Sequence, residues 1–224
     1  FFVLFGTESW RYLAFLWALV PFFNGIYFTA VPVPEVLAKG DGIGVKGLLK
    51  TKLFFIFALL MLCSGASEIA MSQWASAFAE SGLKVSKTVG DLLGPCLFAA
   101  LMGTARVLYA RLADKISLVR VMIFSGLFCI VCYLVTALSP VAAVSLIGCA
   151  LCGLSVGIMW PATFSLAAQR IPAGGTAMFA LLALFGDLGC TSGPALVGKI
   201  TEIASGQLNM GLLFAVIFPA LLIA

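Results

Sequence analysis

Histidine is absent from all 224 residues, and charge is scarce: Asp, Glu, Lys and Arg together make up 10% of the chain. The missing imidazole removes any histidine proton relay and weakens the case for a metal site, since imidazole is the commonest metal ligand. A soluble domain carries roughly 25% charged residues, so the composition also excludes an ordinary water-soluble fold. What fills the space is apolar: 62% of the residues are hydrophobic, and the mean hydropathy is +1.17.

A membrane crossing needs ~20 apolar residues, and the chain supplies seven such runs. Tyr12–Val33, Val121–Leu138 and Val141–Ala168 carry no charge, and Ser139-Pro140 separates the last two. Leu53–Ala79 holds only Glu68, Leu92–Ala110 only Arg106, Thr176–Gly198 only Asp187, and Leu208–Ala224 nothing charged. The fold class expected is all-α, a polytopic membrane helix bundle of about seven crossings. Phe1-Phe2-Val3-Leu4-Phe5 lacks an initiator Met and a basic region, so it is not a signal peptide. Leu221-Leu222-Ile223-Ala224 stops inside an apolar run, and the expectation is a back portion of a longer protein.

Seven crossings place the connections alternately on two sides. One side holds Lys39, Lys46, Lys50, Lys52, Arg106, Arg111, Lys115, Arg120 and Arg170; the other holds Arg11, Lys84, Lys87 and Lys199. The positive-inside rule assigns the richer side to the cytoplasm. The net charge of +4 is therefore a record of topology, and nothing argues for nucleic-acid binding.

Three units follow: a helix over 1–33, a cytoplasmic connection over 34–52 that is rich in glycine, and a six-helix portion over 53–224. The longest connection divides units. The six helices fall into two triplets, Leu53–Leu138 and Val141–Ala224, as an inverted repeat would produce.

All seven cysteines (Cys63, Cys96, Cys129, Cys132, Cys149, Cys152, Cys190) lie inside the apolar runs. Cys129/Cys132 and Cys149/Cys152 have a spacing that suggests zinc or redox work in a soluble protein. Within uncharged helices, small polarizable packing residues are the better reading.

Glu68 and Asp187 are the informative residues. An acid at the bilayer centre costs ~2.5–3.5 kcal/mol on insertion scales, and is tolerated where it faces a watery cavity, binds a solute or carries a proton. At 3.6 residues per turn, Ser64, Glu68, Ser72 and Ser76 form one drifting stripe with Ser67 beside it, while Gln73 and Trp74 lie on other parts of the surface. The stripe is either pore-facing, with Glu68 as acceptor or proton carrier, or a small-residue packing face. Asp187 sits among Gly186, Gly189, Gly193, Pro194 and Gly198. Gly189 and Gly193 form a GxxxG pair, and Pro194 removes a backbone donor. Trp160, in Met159-Trp160-Pro161, is either a stacking platform for a ring-shaped solute or a packing residue.

The segment from Arg106 to Arg120 resembles a signature of the major facilitator superfamily, G-x-x-x-D-[RK]-x-G-[RK]. Asp114 and Lys115 match it; Ala110 and Ser117 replace its glycines. Gly189-x-x-x-Gly193-Pro194-x-x-x-Gly198 is similar to that family's GP-containing packing motif. A glycine-rich loop precedes six spans, with the signature-like loop after the second of them. The chain thus resembles the sixth to twelfth helices of such a transporter, and most closely bacterial sugar permeases of the fucose-permease kind.

The resemblance implies alternating access between two helical halves, the N-terminal half of the same polypeptide supplying the other wall of a midplane site. Substrate or proton candidates are Glu68, Asp187, Ser64, Ser72, Gln73, Trp74, Asn24 and Trp160. Cytoplasmic gate candidates are Arg106, Arg111, Asp114 and Lys115. The expected function is secondary transport of a small polar solute, with sugars the class to test, driven by a proton gradient with no cofactor or metal. The expected setting is a monomer in a lipid bilayer, the bacterial cytoplasmic membrane. The alternatives are a drug or metabolite exporter on the same fold and a non-transporting scaffold. Enzyme chemistry is not expected. A rhomboid-type site needs histidine; a presenilin-like one needs a GxGD and a partner Asp, and Leu184-Phe185-Gly186-Asp187 lacks the first glycine.

Overall fold

In the computed structural model, residues 5–32 and 42–224 are described, apart from the side chains of Thr7 and Asp114. These residues form helices joined by short turns, without a strand among them. Six helices are long and apolar enough to cross a membrane: α1 (Trp10–Ala30), α2 (Lys52–Gly82), α3 (Lys87–Leu112), α4 (Leu118–Leu138), α5 (Ala142–Arg170) and α6 (Pro172–Ile203). A shorter apolar helix, α7 (Leu208–Ile223), follows.

Two compact units result, one spanning Phe1–Ala38 and the other Lys39–Ala224. The first contains α1, whose 21 residues give about 31 Å of helix, the thickness of a bilayer's hydrocarbon core. None of its residues is buried. The second unit opens with a single helical turn at Val45–Leu48. Ile43 N–H donates to the Ala173 carbonyl at 2.7 Å, tying this opening segment to the first turn of α6.

Hydropathy locates the helices but not their irregularities. α3 begins at Lys87, five residues before the apolar run at Leu92, and Lys87 stands 3.8 Å from Asp91 and 3.9 Å from Glu80 of α2. Pro95 has no N–H to donate, and the helix widens into π-type turns across Leu92–Cys96. The Val141–Ala168 run is one crossing in length but two helical pieces, Ala142–Val156 and Met159–Arg170, divided by a turn at Gly157 and Ile158.

The tightest seam joins α2 to α6. A Cβ on Gly189 would run into the Leu62 carbonyl, and one on Gly193 would come within 2.6 Å of the Ala66 carbonyl. Only glycine lets the two backbones come this close, so the GxxxG pair is the contact surface of α6. In a bilayer the gain comes from packing rather than from water release, since lipid tails are as apolar as the side chains. Trp74 of α2 closes one end of the seam. Its indole N–H donates to the Pro194 carbonyl at 3.0 Å, and its ring covers Gly198. Tyr133 of α4, fully buried, donates to the Ser67 carbonyl at 2.7 Å and fastens α4 to the same helix.

Candidate functional site

The stripe on α2 divides into satisfied serines and an unsatisfied acid. Ser64 is fully buried and its hydroxyl donates to the Leu60 carbonyl at 2.7 Å; Ser67 does the same to Cys63 at 2.7 Å. Such bonds to the preceding turn absorb a hydroxyl's donor within its own helix. Ser72 is half-buried, and Ser76 donates to the Asp91 carboxylate.

Glu68 lies one turn beyond Gly65, its side chain only 14% exposed, and Arg106 of α3 reaches it: Nη2 stands 3.5 Å from Oε2. A charge-assisted hydrogen bond would be about 2.7–2.9 Å. The contact is therefore an ion pair without a directed bond, and Oε2 has no hydrogen-bond partner among the described residues. Arg106 is 46% exposed, so water moderates the attraction while the acid remains largely shielded. Arg106 was legible in the sequence as a basic residue near the end of its apolar run. Its pairing with Glu68 was not, because spacing within a helix does not say which helices face each other.

The other buried side-chain atom without a hydrogen-bond partner among the described residues is Nε1 of Trp160. The Gly157–Ile158 turn restarts α5 just ahead of Trp160. Its ring lies against Gly186, where a Cβ would meet the indole's outer carbons, and packs edge-on to Phe164 with centroids 6.3 Å apart. Gly186 itself turns its carbonyl toward Gly65 of α2. The indole is thus held by packing with its N–H unused. Trp160 stands at the Gly65–Gly186 crossing, and Glu68 lies one turn along α2 from it.

Asp187 lies beside Gly186 but is exposed, with no ion-pair partner among the described residues. Further along α6, a groove of about 600 Å³ is lined by Gln73, Trp74, Cys190, Thr191, Pro194 and Gly198. Gln73 is exposed, while Trp74 has spent its N–H on Pro194. Asn24 is exposed on α1, in the first unit.

Of the gate candidates, Arg111 and Lys115 are exposed at the end of α3 and in the turn after it, and the Asp114 side chain lies outside the described residues. The CxxC thiols of α4 and α5 face each other, Cys129 Sγ standing 3.8 Å from Cys152 Sγ. Among the described residues no group of three or more His, Cys, Asp or Glu side chains could hold a metal ion.

Comparison with known proteins adds one finding. A family model described as the Major Facilitator Superfamily matches residues 1–194. No curated protein and no solved structure matches the chain.

Proposed function

The chain belongs to the Major Facilitator Superfamily and is a multi-pass membrane protein of the secondary-transporter class, and from that premise we propose that it moves a small hydroxylated solute, a sugar or polyol, in symport with protons. The observation that carries this reading is the pair of unsatisfied buried atoms, Glu68 Oε2 and Trp160 Nε1. A buried polar atom without a hydrogen-bond partner costs about 1–3 kcal/mol. A solute hydroxyl, which both donates and accepts, would answer either one, and a sugar ring can lie on the indole face.

Arg106 argues for a neutral solute over a cationic drug. An isolated buried carboxylate would attract organic cations, but here a guanidinium already balances it. Glu68 is also suited to carry the proton: it is a largely shielded acid within reach of a half-exposed cation, so its charge state responds to what else occupies the site. The N-terminal half of the polypeptide would supply the opposite wall, and the two halves would alternate access across the bacterial cytoplasmic membrane with the protein acting as a monomer. Asp187 and the groove beside Trp74 stand as secondary candidates for solute contact.

The test is uptake by the full-length protein in cells over a panel of labelled sugars and polyols, with and without a protonophore. Accumulation of one solute that collapses with the protonophore supports the reading. No uptake of any of them sinks it and turns attention to efflux of drugs or metabolites.

A further inference from the structure

At the basic end of the six-helix unit, where α2, α4, α5 and α7 have their ends, an apolar groove of about 540 Å³ runs between them, bordered by Leu53, Leu60, Ile123, Leu166 and Leu222. A second cavity of about 430 Å³ adjoins it at the turn between α3 and α4, and its polar members include Ser117 and Gln169. The two share Val119, Leu166 and Arg170. Arg170 is therefore the one charged side chain among the described residues of either lining, standing at the junction of an apolar channel and a polar pocket.

Arg170 is exposed and has no ion-pair partner among the described residues. Among the described residues, no Asp or Glu side chain lines either cavity. Lys52 and Arg120, both exposed, adjoin the lining residues Leu53 and Val119 in sequence. The junction is thus a cationic spot with no carboxylate paired to it among the described residues, at the level where positive residues meet the membrane surface. A soluble anion would have no use for the apolar groove; a neutral lipid would have none for the exposed guanidinium. We propose that these paired cavities bind one anionic phospholipid. An acyl chain lies in the groove, the phosphate sits on Arg170, and the headgroup meets Ser117 and Gln169.

The experiment uses the full-length protein purified from an equal mixture of phosphatidylglycerol and phosphatidylcholine with identical acyl chains, and counts each retained lipid by native mass spectrometry. Wild type is expected to retain phosphatidylglycerol over phosphatidylcholine by about fivefold, the scale set by one basic contact at a membrane surface. Arg170→Gln should bring that ratio near one without lowering Tm in detergent. Leu60→Trp, which fills the groove, should lower retention of both lipids. Lys84→Asn is the control at the opposite end, since asparagine accepts the left-handed backbone there (φ 57°), and it should leave the ratio unchanged. Equal retention of the two lipids by wild type, or a preference that survives Arg170→Gln, would overturn the site. So would retention of neither lipid, as when further chain or a second copy fills the groove.

Discussion

Glu68 Oε2 and Arg106 Nη2 stand 3.5 Å apart, an ion pair across α2 and α3 in which the acid is shielded, the base is half exposed, and no hydrogen bond joins them. The arrangement neutralises a charge that would otherwise be costly at this depth, yet leaves the carboxylate free to accept another partner.

Removing the cation should cost more than removing the pair. Arg106→Gln strands a shielded carboxylate, and a loss of about 1–2 kcal/mol is expected, below the range for fully buried pairs because Arg106 is partly solvated. The double variant Glu68→Gln/Arg106→Gln should recover most of that loss. Thermal unfolding in detergent measures it, as a double-mutant cycle. Additive losses would mean the two side chains do not interact.

Trp160→Phe keeps a ring against Gly186 and deletes only the N–H. If that N–H meets the solute, KM for uptake should rise about 3- to 10-fold, the value of one hydrogen bond, with little change in Tm. An unchanged KM would assign Trp160 to packing.

The serines that share the α2 stripe should be expendable. Ser64→Ala removes a buried hydroxyl whose donor is spent on its own helix, so stability should fall by no more than about 1 kcal/mol and uptake should be unaltered. A loss of uptake in Ser64→Ala would place the hydroxyl in the transport path after all.

Close approach of α2 and α6 depends on glycine. Gly189→Val drives a side chain into the Leu62 carbonyl, and a destabilisation of about 1–3 kcal/mol or outright loss of folded protein is expected. Gly103→Ala, where a Cβ meets nothing within 4 Å, is the matched control. Size-exclusion profiles of fluorescent fusions distinguish the two.

These residues also mark how far the sequence could be read. Apolar runs separated by polar or proline-containing turns located the six helices long enough to cross a membrane among the described residues, because bilayer thickness sets a length that composition records. The Gly189–Gly193 pair pointed to a packing seam, since small residues at i and i+4 have few other uses in an apolar helix. Glu68 stood out because an acid in such a run is costly. Its partner did not, because Arg106 lies on another helix and one-dimensional spacing carries no information about which faces meet. Ser64 shares the face of Glu68 by periodicity, yet its rotamer returns the hydroxyl to Leu60, and periodicity says nothing of rotamers. The turn at Gly157 and Ile158 was hidden for a similar reason: an uninterrupted apolar run looks the same whether the helix within it is continuous or restarted.

The central claim is that Glu68 couples solute movement to protons, and the most direct measurement compares net accumulation with counterflow exchange in vesicles holding wild type or Glu68→Gln. Glu68→Gln should lose accumulation driven by an imposed proton gradient while retaining exchange of internal for external solute. Gradient-driven accumulation equal to wild type in Glu68→Gln would contradict the account and remove Glu68 from the coupling mechanism.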